Sequence, residues 1–337
     1  MKKLSILGLV LFSGILAACS DNSDQSNGEE GKAAYSSESE STDESNTGSI
    51  TFEDGVGEMS IEGVPKKVVV LEWTYVEHLL PLGVEPVGVA DLEGYNKWVN
   101  VGEPLSDSVT DVGTRSEPNF EAISRLDPDL IIGAKYRHES FKDQLESIAP
   151  TALFAPYSEE GAEDQYQHLL NEFNTIAKVF NEEEKAQKYI KQMEETFKEQ
   201  GERIQEAGFE NLNAVVAQAF TSQNTPTMRL FTNNSVIAGV LNKMNASNAV
   251  KTDEPEIYGF ISTNVEALQN YQDSHFFYLV QDDDPIFDNL ADNPAWTNLN
   301  FVEKNLTYKL PGDMGTFAGP LSAERFSKEI ANALLEK

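Results

Sequence analysis

Paired cysteines are missing from this chain. Cys19 stands alone among 337 residues, which excludes an intramolecular disulfide framework. Histidine is nearly as scarce, and the four at 78, 138, 168 and 275 lack the clustering of a zinc or manganese site. Basic residues are heavily outnumbered, 25 Lys and Arg against 56 Asp and Glu, and the formal charge of −31 argues against a nucleic-acid partner. No Gly-x-Ser-x-Gly elbow, His-Glu-x-x-His pair or P-loop occurs, and acids are so abundant that any catalytic carboxylate pair would be an arbitrary choice. An enzyme is therefore not expected. What remains is 40% hydrophobic and 24% charged, ordinary globular material with enough apolar content for two modest cores.

The N-terminus reads as an export signal. Lys2 and Lys3 supply the positive region, and Leu4 to Leu16 form an apolar stretch too short for an ordinary membrane span. It ends Leu16-Ala17-Ala18-Cys19, which resembles the lipobox of bacterial lipoproteins. That resemblance implies a lipid on the Cys19 sulfur and cleavage after residue 18, leaving 23 basic and 56 acidic residues, a charge of −33. No later run is apolar enough to span a membrane, so contact with the bilayer is expected through the lipid anchor only. Between Asp21 and Ile50 there are eight Ser, eight Asp or Glu and one basic residue, Lys32, a composition expected to form a disordered, self-repelling tether from 19 to 50.

From Thr51 the pattern alternates. Val68–Leu71, Pro86–Ala90, Asp129–Ile132 and Thr151–Phe154 read as continuous apolar strands; Tyr75–Leu82, Asn119–Leu126 and Phe141–Ile148 read as helices between them. Such strands predict parallel sheets covered on both faces, an α/β fold. Asn181 then reads as the N-cap of a long helix, with Glu182, Glu183 and Glu184 suited to the positive end of its dipole. The helix is expected to run to about Glu206, roughly 38 Å at 1.5 Å per residue. A second α/β pattern follows, with strands at Asn213–Phe220, His275–Val280 and Leu306–Leu310. The halves echo each other. Asn119-Phe120-Glu121-Ala122-Ile123 recurs as Asn264-Val265-Glu266-Ala267-Leu268 at an offset of 145, each followed by a strand at equal spacing. Two related lobes, 51–180 and 207–337, joined by the helix 181–206 are expected.

From about Lys66 onward the chain resembles the ferric-siderophore and cobalamin class of ABC-importer binding proteins. The likeness rests on Leu82-Gly83-Val84-Glu85-Pro86-Val87-Gly88-Val89, Val112-Gly113-Thr114-Arg115-Ser116-Glu117-Pro118-Asn119 and Asp127-Pro128-Asp129-Leu130-Ile131-Ile132-Gly133. Asn293-Pro294-Ala295-Trp296 and Phe317-Ala318-Gly319-Pro320-Leu321-Ser322-Ala323 extend it through the second half. The resemblance implies two Rossmann-like lobes with mainly parallel sheets, one long bridging helix, a ligand cleft between the lobes and little hinge motion. It also implies docking of Glu121 and Glu266 into basic pockets on two permease subunits, where exposed carboxylates on opposite lobes steer and register the encounter.

A ferric chelate bearing carboxylates is anionic, so an acidic protein must gather positive charge locally to hold it. Of only six arginines, Arg125, Arg203 and Arg325 sit in helical patterns and are expected to be solvated or paired. Arg115 lies in the loop before Glu117-Pro118-Asn119, Arg137 follows the strand Leu130–Ile132 at its carboxyl end, and Arg229 in the second lobe can close from the opposite side. Arg115 and Arg137 also match ligand-contacting arginines of the carboxylate-siderophore receptors. His138 is expected as a hydrogen-bond donor or partial cation. Trp73, Tyr136, Tyr258 and Phe317 are the aromatic candidates for the walls, with Tyr95 and Trp98 weaker, Met314 and Thr316 in a loop able to reach the cleft, and Trp296 assigned to the core.

The reading is a monomeric, lipid-anchored receptor on the extracytoplasmic face of the cell membrane, in a Gram-positive-type cell. It captures a ferric siderophore, citrate or carboxylate type first and hydroxamate next, for an ABC importer. It needs no cofactor and no direct metal ligands, since the iron arrives wrapped by its chelator. A haem or cobalamin receptor of the same architecture, or a surface adhesin or sensor, is the alternative.

Overall fold

The computed structural model describes residues 48–336 except 103, 224 and 318. The expected signal segment, Cys19 and the tether as far as residue 47 lie outside the described residues. The described residues open with an antiparallel hairpin of β1 (Ser49–Glu53) and β2 (Glu58–Glu62) that pairs Ser49 with Glu62. Its turn reaches the first lobe, where the Gly55 N–H donates to the Leu153 carbonyl at 2.8 Å and Asp54 accepts from the Leu153 N–H at 2.8 Å.

The first lobe is a parallel sheet of β3 (Val68–Val70), β4 (Gly88–Val89), β5 (Thr110–Asp111), β6 (Leu130–Ala134) and β7 (Thr151–Phe154), in the order β5-β4-β3-β6-β7. The continuous apolar runs are explained by what covers each face. Val68, Val70, Leu130 and Ile132 point into one core, and Val69, Leu71 and Ile131 into another on the opposite side. The second lobe holds β8 (Asn213–Ser222), β9 (Thr225–Phe231), β10 (Ser247–Asn248), β11 (Phe260–Thr263), β12 (His275–Val280) and β13 (Thr307–Pro311), in the order β11-β9-β8-β12-β13 with β10 beside β8. It too has a core on each face, with Ala214 and Val216 on one side and Val215 and Ala217 on the other. Its strands β8, β12 and β13 are parallel, but β9 runs antiparallel to both β8 and β11.

The echo has a structural counterpart. Asn119 caps the helix Phe120–Leu126 by accepting from the Ala122 N–H at 3.0 Å; Asn264 accepts from the Ala267 N–H at 3.4 Å and opens a 3-10 run, Val265–Tyr271. The strands that follow, β6 and β12, hold the same place in their sheets.

The long helix is Glu183–Glu206, 24 residues, about 36 Å. Asn181 is not its cap. It sits at φ 54 just after the preceding helix, Gln165–Val179, and Glu182 occupies the cap position without a capping side-chain bond. Among residues with a side chain, Asn is one of those that best tolerate this left-handed conformation, so the same chemistry serves the end of one helix rather than the start of the next. The long helix buries Ala186 in the first lobe's core and Met193, Phe197 and Ile204 in the second's. The helix Gln165–Val179 does the reverse, with Tyr166, Leu169 and Leu170 in the second core and Phe173, Ile176 and Ala177 in the first. The chain therefore crosses between lobes three times, and two packed helices bridge them.

Polar contacts close the seam. Glu77, on the helix Trp73–Leu79, accepts from the Ser322 N–H at 2.7 Å across the lobes. The Asn100 N–H and side chain donate to the carbonyl and carboxylate of Asp313 at 2.7 and 2.9 Å.

Candidate functional site

Four strands of the first lobe deliver side chains beyond their carboxyl ends, on the side that faces the second lobe. Glu72 and Trp73 follow β3, Arg115 follows β5, Tyr136 and Arg137 follow β6, and Pro156 and Tyr157 follow β7; all line one cavity of about 610 Å³. The opposite wall is built from Gln218 and Phe220 on β8, Arg229 on β9 and Phe260 on β11, with the loop Met314–Phe317 after β13 and Tyr258 closing the ends. Arg229 lies opposite Gln218 in register, and its guanidinium donates to the Gln218 side chain at 3.1 Å.

The Arg115 loop is held by its backbone. Gly113 turns at φ 93, and a side chain there would meet the Asn119 nitrogen at 2.7 Å, so only glycine lets the chain double back into the helix cap. Arg115 lies flat on Trp73, its guanidinium carbon 3.4 Å from the ring centroid, while the indole N–H donates to the Ala90 carbonyl at 3.1 Å.

At the centre is a residue that the sequence reading missed. Glu72 accepts from Arg115 at 2.7 Å through one oxygen, and from Arg137 at 2.8 Å and the Tyr136 hydroxyl at 3.0 Å through the other. Burial alone would push this carboxyl up, but the Arg115 and Arg137 guanidiniums outweigh it and hold it below its ordinary range. Glu72 is thus a carboxylate, acceptor only, and the groups around it are all donors. Burial and Glu72 push the Tyr136 phenol up to about 12, so it too remains a donor. Arg137 extends the chain of bonds to Ser116 at 3.0 Å.

Arg229 is different. It packs 4.9 and 5.2 Å from the Phe260 and Phe220 centroids, and burial draws its pKa down. Among the described residues no carboxylate comes within ion-pair reach of it. A guanidinium stays charged at any ordinary pH, so this is positive charge that a ligand can meet.

Of the expected site residues, Trp73, Arg115, Tyr136, Arg137, Arg229, Tyr258 and Phe317 all line the cavity. His138 does not, which corrects the expectation that it reaches a ligand. Its ring is fully buried, with Nδ1 accepting from the Ala134 N–H at 2.9 Å and Nε2 set 2.8 Å from the Arg115 carbonyl. Both nitrogens are used to pin the Arg115 loop to β6, and burial lowers the pKa so that the ring is neutral. Trp98, Met314 and Thr316 also line the cavity, whereas Tyr95 is buried elsewhere and Trp296 packs among Phe276, Phe287 and Phe301. Glu121 and Glu266 are exposed on separate lobes, away from the cavity. Arg125 pairs with Glu121 at 3.3 Å, and Arg325 with Asp313 at 2.9 Å, as paired surface arginines should.

Besides Glu72, the reading missed Tyr157, Gln218, Phe220 and Phe260. The last three become predictable once β8, β9 and β11 are seen as an antiparallel ribbon whose alternate residues share a face. Glu72 offered one signal, a charge directly between a buried strand and a tryptophan. Among the described residues no group of three or more His, Cys, Asp or Glu is placed to hold a metal ion, and no helix is long and apolar enough to cross a membrane.

The chain is similar to known proteins. Over its whole length the chain is 29% identical to an Fe(3+)-citrate-binding protein of Bacillus subtilis, covering 98% of that protein. It is 28% identical to an iron(3+)-hydroxamate-binding protein of Escherichia coli, over 80% of this chain and 87% of the relative. The crystal structure of a Vibrio cholerae siderophore-binding protein with Fe3+-Desferal superimposes with a TM-score of 0.72 at 28% identity, covering 80% of this chain and 98% of that one. Residues 68–314 match the family described as periplasmic binding protein, and with most of the folded chain inside that match, the chain belongs to this family.

Proposed function

We propose that the chain captures a ferric siderophore in the cleft between its lobes and delivers it to an ABC importer for iron uptake. The observation that carries this reading is the convergence of Arg115 and Arg137 from one lobe and Arg229 from the other on a single aromatic-walled cavity of about 610 Å³. Arginine forks suit carboxylate oxygens, the aromatic walls suit the chelate's organic shell, and nothing in the donor set asks for bare iron. Carboxylate-bearing chelates come first and hydroxamates next, in keeping with what the Bacillus subtilis and Escherichia coli relatives bind by name. Delivery uses Glu121 and Glu266 as docking points for the two permease subunits. The protein acts as a monomer held at the extracytoplasmic face of the membrane by a lipid on Cys19.

Trp73 and Trp98 line the cavity, so a bound ferric chelate quenches their fluorescence. Titration with ferric citrate, a ferric hydroxamate, haem and cobalamin tests the reading. Saturable quenching by a ferric chelate, absent with the iron-free chelator, is expected. Saturation by haem or cobalamin alone would move the ligand class, and no response to any of the four would remove the receptor role.

A further inference from the structure

An anion site usually leaves its cations open to the ligand, but here one carboxylate is already in place. The Glu72 side chain, 7% exposed, holds Arg115 at 2.7 Å, Arg137 at 2.8 Å and the Tyr136 hydroxyl at 3.0 Å. Desolvating a carboxylate is costly, and it is tolerated only where strong donors surround it. The arginines do not depend on it for every bond, since Arg115 also stacks on Trp73 and Arg137 also reaches Ser116.

The charges in the cleft can be counted. Arg115, Arg137 and Arg229 against Glu72 leave a net +2. Glu77, the other carboxyl in the lining, is turned toward Ser322 and brings the sum to +1 when ionised. Asp91, 34% exposed, lies 3.7 Å from the Arg115 Nε and weakens the first-lobe half further.

We infer that Glu72 is a specificity-determining residue, a built-in counter-charge that holds the first-lobe donors in place and biases the cleft toward ferric chelates of low net negative charge, carboxylate-bearing ones included, over polyanionic ones. This rests on the receptor reading above. A chelate with one or two negative charges is matched by what the arginines have left. A polyanion brings further charges that the cleft does not neutralise, and each faces Glu72 across a few ångströms of poorly screened space.

The test is the ratio of dissociation constants for the mononuclear ferric dicitrate complex formed in excess citrate, a polyanion, and ferrichrome, a neutral ferric trihydroxamate, measured by tryptophan quenching in the full chain. Removing one negative charge at this distance is expected to shift the ratio toward the dicitrate complex by about tenfold or more in Glu72→Gln. Glu72→Ser, which also removes the charge, moves it the same way and covers a poorly folding Gln variant. Glu72→Asp keeps the charge and restores the wild-type ratio. A merely structural role weakens both chelates together and leaves the ratio within about twofold, which overturns the inference while leaving the receptor intact. A wild-type chain that binds neither chelate removes the receptor reading, and the charge bias falls with it.

Discussion

Glu77 makes the seam between the lobes sensitive to pH. Its carboxyl is buried between the helix Trp73–Leu79 and the start of the C-terminal helix Pro320–Leu335, and accepts from the Ser322 N–H at 2.7 Å. That helix has no local side-chain cap, so Glu77 caps it from the other lobe. Burial nevertheless dominates and raises the carboxyl from 4.5 to about 7, against the hydrogen bonds from Ser322. Between those values the folded chain holds a proton that the unfolded chain has released. The contribution to stability is therefore complete below 4.5 and is lost as pH rises through 7. The gap corresponds to about 3 kcal/mol, spread over that window. His78, buried and neutral, pulls the other way, because its unfolded form gains a proton as pH falls. Tyr95, the other titratable group facing Glu77, stays protonated throughout. Comparing wild type with Glu77→Gln cancels both. Guanidinium melts from pH 5 to 8.5 should show the variant gaining on wild type as pH rises, by about 3 kcal/mol at the top of the range. A difference that stays flat across this range would refute the argument, meaning that the helix terminus and the Ser322 N–H keep Glu77 ionised despite its burial.

Three further outcomes are expected. Arg115→Ala with Arg137→Ala removes ferric citrate binding and leaves Glu72 buried without its two charged partners, a cost of about 3–5 kcal/mol visible as a lowered melting temperature. Glu121→Ala with Glu266→Ala keeps chelate affinity in quenching titrations but loses iron uptake in cells, since both side chains lie away from the cavity. Gly319→Ala places a Cβ 2.1 Å from the Glu77 carboxyl carbon, so it should destabilise the seam by about 1–3 kcal/mol in thermal melts, and less in a Glu77→Ala background.

How far the sequence carried the fold depended on burial. Strands covered on both faces, such as β3, β6, β7 and β12, are short continuous apolar runs and stand out from their flanks. β9 was missed because Thr225, Thr227 and Arg229 alternate with Pro226, Met228 and Leu230, and one of its faces borders the cavity rather than a core. Asn181 was assigned to the wrong helix end because asparagine favours both an N-cap and a left-handed turn, and only the backbone tells them apart. The arginines of the site were legible because there are only six in the chain and three lie outside helical patterns. Glu72 was not, because one glutamate among 56 acids carries no mark of burial. His138 was misread for a related reason. Its place beyond β6 is that of a ligand residue, but its ring turns back under the Arg115 loop.

The two walls of the cleft constrain future variation differently. On the first lobe, Arg115, Tyr136 and Arg137 stand on segments beyond the strand ends, where residues can be added or lost while the sheet stays intact. On the second, Gln218 and Arg229 face the cavity by virtue of the β8–β9 register, and a single inserted residue would turn Arg229 to the opposite face. Descendants of this chain adapting to a new chelate can therefore drift in length on the first lobe's side of the cleft, but must change residue by residue where β8 and β9 form the other wall.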